Sequence, residues 1–292
     1  MASHRFHILD VFTQVRFGGN QLAVVLDADD LDGATMQKIA REFNFSETTF
    51  ICAPRDAGNT AHVRIFTPAA ELPFAGHPIV GTALVLARIK GTDSIAMEIK
   101  AGLVPVAVDG NHATFTAPVL PSPAGTAPDD AILAAAVGLQ PGDLGFDNHR
   151  PAIVAAGNVF LFVPVRDLAA VGRAKVDATH WPKVKGGHDI VGAYVYTRGG
   201  AAGETDYRVR LFAPDHGITE DPATGSAAAT LPGQIIANEP LADGSHRWRL
   251  EQGYEMGRPS QITVDAEVAG GAITTVRVGG SAVVTASGSI ES

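Results

Sequence analysis

His62-Val-Arg-Ile-Phe-Thr-Pro68 and Arg208-Val-Arg-Leu-Phe-Ala-Pro214 are two versions of one phrase. Each reads as a short strand that closes on a proline, which has no N–H to continue a ladder. Each is followed by a loop, a glycine and an apolar, small-residue helix. The prolines lie 214 − 68 = 146 positions apart, half of the 292-residue chain. A six-residue similarity can arise by chance. The matching strand–loop–buried-helix context on both sides points to duplication.

Working outward, the first half opens with a strand over Arg5–Phe12, a turn at Gly18-Gly19-Asn20 and a strand over Leu22–Leu26. Asp32 can cap a helix reaching about Phe43, because Met36, Ile39, Ala40 and Phe43 fall on one face. Strands follow at Thr48–Cys52 and His62–Phe66. A helix near Pro78 carries Ile79, Val80, Ala83, Leu84, Val85, Leu86 and Ala87. It has almost no polar face, so protein must surround it. Strands at Ile95–Ile99, Val104–Val108 and Ala113–Thr116 complete this half.

Pro118, Pro121, Pro123 and Pro128 with Gly125 read as a linker. The expected domains are residues 1–122 and 123–292, with the last strand able to pack back on the first half. The second half repeats the pattern of the first, with a helix from about Asp130, then strands near Ile153–Ala156, Val159–Val163, Gly192–Tyr196 and Tyr207–Phe212. An Ala-rich helix follows Gly225, and four strand-like runs finish the chain. Strands outnumber helices and often follow one another directly. The fold class is therefore α+β: two similar domains, each a curved, largely antiparallel sheet around one buried helix. Neither G-x-G-x-x-G nor a Walker loop is present, so the common nucleotide-binding readings have no support.

Composition narrows the function classes. Lys plus Arg number 22 against 31 Asp plus Glu, a formal charge of −9. An acidic surface repels phosphate backbones, so nucleic acid is not expected as a partner. The single cysteine, Cys52, allows no internal disulfide, no Cys-cluster metal site and no opposed thiol pair for a two-base racemase. It reads as a core residue. No apolar stretch is long enough to cross a bilayer, and the opening Met1-Ala2-Ser3-His4-Arg5 is not a long apolar signal. The expectation is a soluble cytoplasmic protein. His4/His7 and His180/His188 lack a convincing arrangement with carboxylates, so no metal is expected.

Two loops carry the candidate chemistry: Glu71-Leu-Pro-Phe-Ala-Gly-His-Pro78 and Glu220-Asp-Pro-Ala-Thr-Gly-Ser-Ala227. Each leads into the start of a buried helix, where free N–H groups and the dipole favour a carboxylate. Ala75, Gly76, Thr224 and Gly225 let a ligand approach the backbone. The ordinary alternative is capping, with Pro78 at a first helical position and Asp221 or Ser226 as caps. A third element, Asn44-Phe-Ser-Glu-Thr-Thr-Phe50, places Glu47 between a helix end and a strand, with Phe45 and Phe50 nearby. A carboxylate against aromatic surface loses hydration, and its raised pKa suits proton transfer near neutrality. A solvated loop glutamate is the ordinary reading. His77 is a cap, an orienting group or a proton partner. Arg64 and Arg210 hold matched positions and suit salt bridges that anchor loops.

Taken in order, these segments resemble the PhzF-like family of phenazine-biosynthesis isomerase-like proteins, over about His7 to Ser287. The resemblance rests on Asp10-Val-Phe-Thr with Gly19-Asn20-Gln-Leu-Ala-Val, on Arg41-Glu-Phe-Asn-Phe-Ser-Glu47-Thr-Thr-Phe, on Arg64 to Pro78, on Glu220 to Ala227, and on Gln252-Gly-Tyr-Glu-Met-Gly-Arg-Pro-Ser260. It implies the diaminopimelate-epimerase-like fold of two pseudo-symmetric domains with the active site between them. It further implies a cofactor-free isomerisation of a small carboxylated substrate, such as a dihydro-hydroxyanthranilate, and a homodimer. Carried over, the catalytic Glu falls on Glu47, its partner His on His77 and its Asp on Asp221. Gly76 and Ser226, with Gly225 at the second helix start, fall on the substrate-binding positions. Pro232-Gly233 departs from the family pattern and predicts a short or kinked second helix. The competing functions are a racemase or epimerase of the same fold and a catalytically silent binding protein.

Overall fold

The computed structural model describes residues 2–185 and 187–292. The chain divides into two compact units: the first runs to Pro118 and takes up Val278–Ser292 again, and the second is Val119–Arg277.

The first unit contains β1 (Ser3–Val11), β2 (Asn20–Val25), α1 (Gly33–Phe43), β3 (Glu47–Cys52), β4 (Ala61–Phe66), β5 (Glu71–Leu72), α2 (Gly76–Lys90), β6 (Ser94–Ile99), β7 (Gly102–Asp109) and β8 (His112–Thr116). β1 and β2 are antiparallel, β2 and β3 parallel, β3 and β4 antiparallel. β4 is antiparallel to β5 and parallel to β6, and β6, β7 and β8 form a meander. The far end of the last strand, β17 (Ala272–Glu291), lies antiparallel to β1 from Val11↔Ala282 to Ser3↔Glu291 and also pairs with β8. The pairing therefore closes into a barrel, which leaves no long sheet edge exposed.

α2 runs through the middle of this barrel and packs on β1, β2, β3, β6, β7 and β8. Eleven of its 15 residues, Gly76 to Leu86, are buried, so the absence of a polar stripe is a consequence of being enclosed. Each fully buried Val or Leu there contributes about 1.5–3 kcal/mol. Gly81 sets the closeness of approach: a Cβ would stand 2.5 Å from Leu22 Cδ2 and 2.9 Å from Val11 Cγ2. The helix stops at Gly91 in the left-handed region (φ 65), with Arg88 and Lys90 in its last turn, both favourable at a C-terminus. α1 is capped by Asp32, which accepts from the Thr35 N–H at 2.7 Å, and it buries Met36, Ile39 and Ala40.

The second unit follows the same grammar. Its elements are β9 (Ser122–Gly125), α3 (Asp130–Ala136), β10 (Ala152–Ala156), β11 (Asn158–Pro164), α4 (Leu168–Arg173), α5 (Trp181–Lys185), β12 (Ile190–Arg198), β13 (Tyr207–Ala213), β14 (Ile218–Asp221), α6 (Gly225–Asn238), β15 (Gly244–Gln252) and β16 (Ser260–Ala269). β9, β10 and β11 are antiparallel neighbours, β11 and β12 parallel, β12 and β13 antiparallel. β13 is antiparallel to β14 and parallel to β15, and β15 is antiparallel to β16. α6 packs on β10, β11 and β16. A further core joins Leu133, Val137, Val171, Trp181 and Val184 of the small helices to Ile153, Leu161 and Val195 of the sheet.

The two units carry the same internal ties. Arg64 grips Glu71 at 2.7 and 2.9 Å, and Arg210 grips Glu220 at 2.8 and 2.7 Å, each a bidentate pair holding the loop ahead of a central helix. Glu98, opposite His62, and Glu251, opposite Arg208, each accept two consecutive backbone N–H groups of the loop leading into β4 or β13. These pairs confirm the duplication at the level of side chains.

Three expectations are corrected. The proline-rich segment after Pro118 contains a strand, β9, because Ser122–Gly125 finds a partner in β10; prolines are tolerated at a sheet edge. Three strands rather than four follow α6 among the described residues, since residues 272–291 form one strand of 20. α6 is not cut short at Pro232-Gly233. It runs 14 residues, buried at Pro232, with Gly233 so close to Pro121 that a Cβ would meet its Cβ at 2.7 Å. Packing on all sides compensates for the one N–H that proline lacks.

Candidate active site

In the first unit, β3 and α2 are fastened at two points. Residues two apart on a strand face the same way, so Glu47 and Thr49 both point at α2. Thr49 Oγ1 meets Thr82 Oγ1 at 2.8 Å in the interior. Glu47 meets the first turn of the helix, with Oε2 3.4 Å from His77 Nε2. Only 12% of the Glu47 side chain and 5% of the His77 side chain are exposed. Burial pushes the His77 pKa down from 6.5 to about 3, opposed by a backbone hydrogen bond with Gln21. The ring is therefore neutral at pH 7.

The other ring nitrogen, Nδ1, lies 3.2 Å from Asn20 Nδ2. Asn20 Oδ1 accepts from Ser46 Oγ at 3.0 Å. The parallel pairing Leu22↔Glu47 brings the start of β2 alongside the start of β3 and makes this chain of contacts possible. α2 begins at Ala75 (φ −152, ψ 140) with no side-chain cap, so its first N–H groups are not taken by a capping side chain and Gly76 leaves the backbone approachable. The aromatic neighbours in sequence are engaged elsewhere: Phe45 stacks on Phe43, and Phe50 sits in a core with Met36 and Phe66. An imidazole, that of His77, faces Glu47.

In the second unit, Asp221 ends β14 and is 7% exposed. Thr224 Oγ1 donates to its Oδ2. Gln252, fully buried, locks the loop between Asp221 and α6: its Nε2 donates to the Asp221 carbonyl at 2.8 Å and to Thr224 Oγ1 at 3.0 Å, and its Oε1 accepts the Thr224 N–H at 3.0 Å. Ser260 Oγ holds the Pro222 carbonyl at 2.8 Å from the other side. Gly253, at φ +75, leaves room for that same carbonyl, which a Cβ would meet at 2.6 Å. Tyr194 lies buried beneath this loop, its phenol pKa pushed far up by burial and by the Asp221 carboxylate. The α6 N-cap, Thr224, makes no side-chain cap hydrogen bond, so Gly225 and Ser226 again open a helix whose first turn is not capped by a side chain.

The structure thus brings Glu47, Gly76 and His77 together in one unit and Asp221, Gly225 and Ser226 together in the other. Neither N-cap residue, Ala75 or Thr224, makes a side-chain cap hydrogen bond. Asn20, Ser46 and Gln252 escaped the sequence reading, and Thr224 was read only as a small residue at a helix start. Each sits inside a quoted motif, but nothing local tells an amide that contacts a buried histidine from one in a turn. Cys52 is only partly buried, at the edge of the core around Phe50, and burial lifts its thiol to about 11, an unreactive group. Among the described residues no three His, Cys, Asp or Glu side chains gather as metal ligands, and no helix is long and apolar enough to cross a membrane.

A duplicated, mostly antiparallel sheet wound in each unit around a buried helix defines a diaminopimelate-epimerase-like protein. Residues 9–288 match the family described as phenazine biosynthesis-like protein, and the chain belongs to that family. It is 41% identical over 300 residues to an uncharacterized isomerase of Mesorhizobium japonicum, covering 99% of each chain. It is 35% identical over 288 residues to the trans-2,3-dihydro-3-hydroxyanthranilate isomerase of Pseudomonas aeruginosa, covering 98% of each. The crystal structure of the Bacillus anthracis phenazine biosynthesis protein, PhzF family, superposes with a TM-score of 0.90 at 26% identity, over 100% of both chains. These likenesses place the chain among isomerases.

Proposed function

We propose that this isomerase shifts a proton within a small carboxylated substrate, with Glu47 as the single proton carrier. The observation that carries the reading is the nearly buried Glu47 carboxylate set 3.4 Å from a neutral His77 at a helix start without a side-chain cap. Glu47 takes a proton as a C–H bond breaks, and it returns that proton to another carbon, so nothing is gained or lost overall. His77 and Asp221 hold polar substituents of the substrate and tune protonation. Gly76, Gly225 and Ser226, with their helix starts, hold its carboxylate and stabilise developing charge. The relative at 35% identity makes trans-2,3-dihydro-3-hydroxyanthranilate the first substrate to try. Glu47→Gln should abolish turnover while circular dichroism and melting stay as in the parent. Turnover within a few-fold of the parent would refute the reading.

A two-base racemase is disfavoured by the register of the repeat. Thr48 pairs with Phe66, and Ala193 pairs with the matching Phe212, so the counterpart of Glu47 is Gly192. A Cβ there would stand 2.5 Å from the Phe212 carbonyl oxygen. Asp221 pairs with Leu211, and the matching Ile65 pairs with Leu72, so Asp221 has no acidic counterpart either. The duplication supplies one scaffold twice but each acid once. Chirality assays on candidate amino and hydroxy acids should show no inversion.

A further inference from the structure

We infer that Arg208 is a positioning residue for the substrate-holding helix start of the second unit, acting through the loop 253–259. The repeat singles this loop out. Glu98 of β6 lies opposite His62, and Glu251 of β15 lies opposite Arg208, so β6 and β15 are counterparts. β6 turns into β7 over residues 100–101, since Ile99 pairs with Gly102. β15 reaches β16 over residues 253–259, since Gln252 pairs with Ser260. The longer connection belongs to the unit whose helix start is framed by hydrogen bonds.

Both ends of this connection carry the frame. Gln252 holds the Thr224 N–H and the Asp221 carbonyl, Ser260 holds the Pro222 carbonyl, and Gly253 packs against that same carbonyl. Between them the chain makes a tight turn: the Met256 and Arg258 N–H groups both reach the Gly253 carbonyl, at 3.2 and 2.9 Å. Residues Glu255 to Gly257 are exposed, so the turn buries little of its own and needs an outside anchor.

Arg208, buried on β13, is that anchor. Its Nη2 lies 3.0 Å from Glu251 Oε2, its Nη1 donates to Glu255 Oε1 at 3.2 Å, and its guanidinium stands 3.9 Å from the centre of the Tyr254 ring. A guanidinium only donates and a carboxylate only accepts, so the direction of each polar contact is fixed. One planar group thereby joins the end of β15 to the tip of the loop. A loop held at its tip keeps Gln252 and Ser260 in register with Thr224 and Pro222, and so fixes how Gly225 and Ser226 present the start of α6.

This inference rests on that helix start holding substrate, and half of its test needs no substrate. Arg208→Ala would also strip a partner from the buried Glu251, so Glu255→Ala, which releases only the loop tip, is the deciding variant. Hydrogen exchange of the 15N-labelled full chain should show the Thr224 amide opening about tenfold faster in Glu255→Ala. The Ala201 and Ala202 amides, held by Glu251 directly, should exchange as in the parent. In turnover, KM should rise about fivefold with kcat within about twofold of the parent. Glu255→Gln keeps an acceptor for Nη1 and should restore both readouts, whereas Arg208→Lys keeps the charge without the fork and should not. Unchanged Thr224 exchange in Glu255→Ala, a parallel rise at Ala201 and Ala202, or a loss in kcat at constant KM overturns the role of Arg208. Persistent turnover in Glu47→Gln would defeat the proposed function and leave the exchange result standing.

Discussion

The start of α2 and the start of α6 are built alike and equipped differently. Both open without a side-chain cap, both follow an arginine–glutamate clamp, and both are enclosed by sheet. Around the first stand a carboxylate, a neutral imidazole and the Asn20 amide in contact with it. Around the second, Gln252 and Thr224 tie Asp221 into a rigid hydrogen-bonded loop. Duplication copied the part that depends on packing. Divergence put an acid beside an imidazole at one helix start and a hydrogen-bonded polar frame at the other.

The strongest way to break this comparison is to remove each acid in turn. Glu47→Gln should cost about 10²–10⁴-fold in kcat, the range for a general acid–base group. Asp221→Asn should act mainly on KM. Equal kcat losses would mean that both helix starts handle protons, which the comparison denies.

Next come the clamps. Arg210 and Glu220 are 8% and 14% exposed, whereas Arg64 and Glu71 are 25% and 26% exposed. Removing one partner of a buried pair costs about 3–5 kcal/mol. Arg210 also donates to the carbonyls of Val171 and Ala174. Urea unfolding should therefore show Arg210→Ala at that level and Arg64→Ala at about half of it. Gln252→Ala leaves the Thr224 N–H without its acceptor, at about 1–3 kcal/mol. Its KM should rise with little loss in kcat, since the frame loosens while Glu47 is untouched.

A further effect appears with pH. His77 binds its proton at about 3 when folded and near 6.5 when unfolded. Below pH 6.5 the unfolded chain takes up more protons, so stability falls with decreasing pH, by about 1.4 kcal/mol per unit until the folded pKa is reached. Above pH 6.5 this group contributes no slope. The His149 pKa is also lowered by burial, but its hydrogen bond to Glu239 pulls the other way. His77→Gln should thus flatten the stability profile between pH 6.5 and 4 more than His149→Gln does. The smallest change is Thr49→Val, which deprives Thr82 of its partner and should lower stability by about 1 kcal/mol without affecting the pH profile.

Much of this was legible in the chain. The repeat at Arg64 and Arg210, the cap at Asp32 and the enclosed helix after Pro78 all depend on short-range patterns: alternation, a side chain reaching a nearby N–H, a helix without a polar stripe. β9 was hidden because its prolines signal a linker, and only its partner β10 makes it a strand. Pro232 misled as to the length of α6 for the same reason, since enclosure by sheet outweighs one absent N–H.

The sequence by itself determined that the chain is duplicated, that each half buries a helix, that His77 and Asp221 adjoin helix starts and that Glu47 stands between a helix end and a strand, because these are relations between near neighbours or repeats in chain order. Only the tertiary structure decided what those groups meet. Asn20, Ser46, Glu47 and His77 converge because β2 and β3 pair in parallel and α2 returns beneath them, and Gln252 reaches Thr224 from a strand 28 residues on. A distance of 3 Å between side chains far apart in sequence follows from strand register and close packing, and no local pattern encodes either.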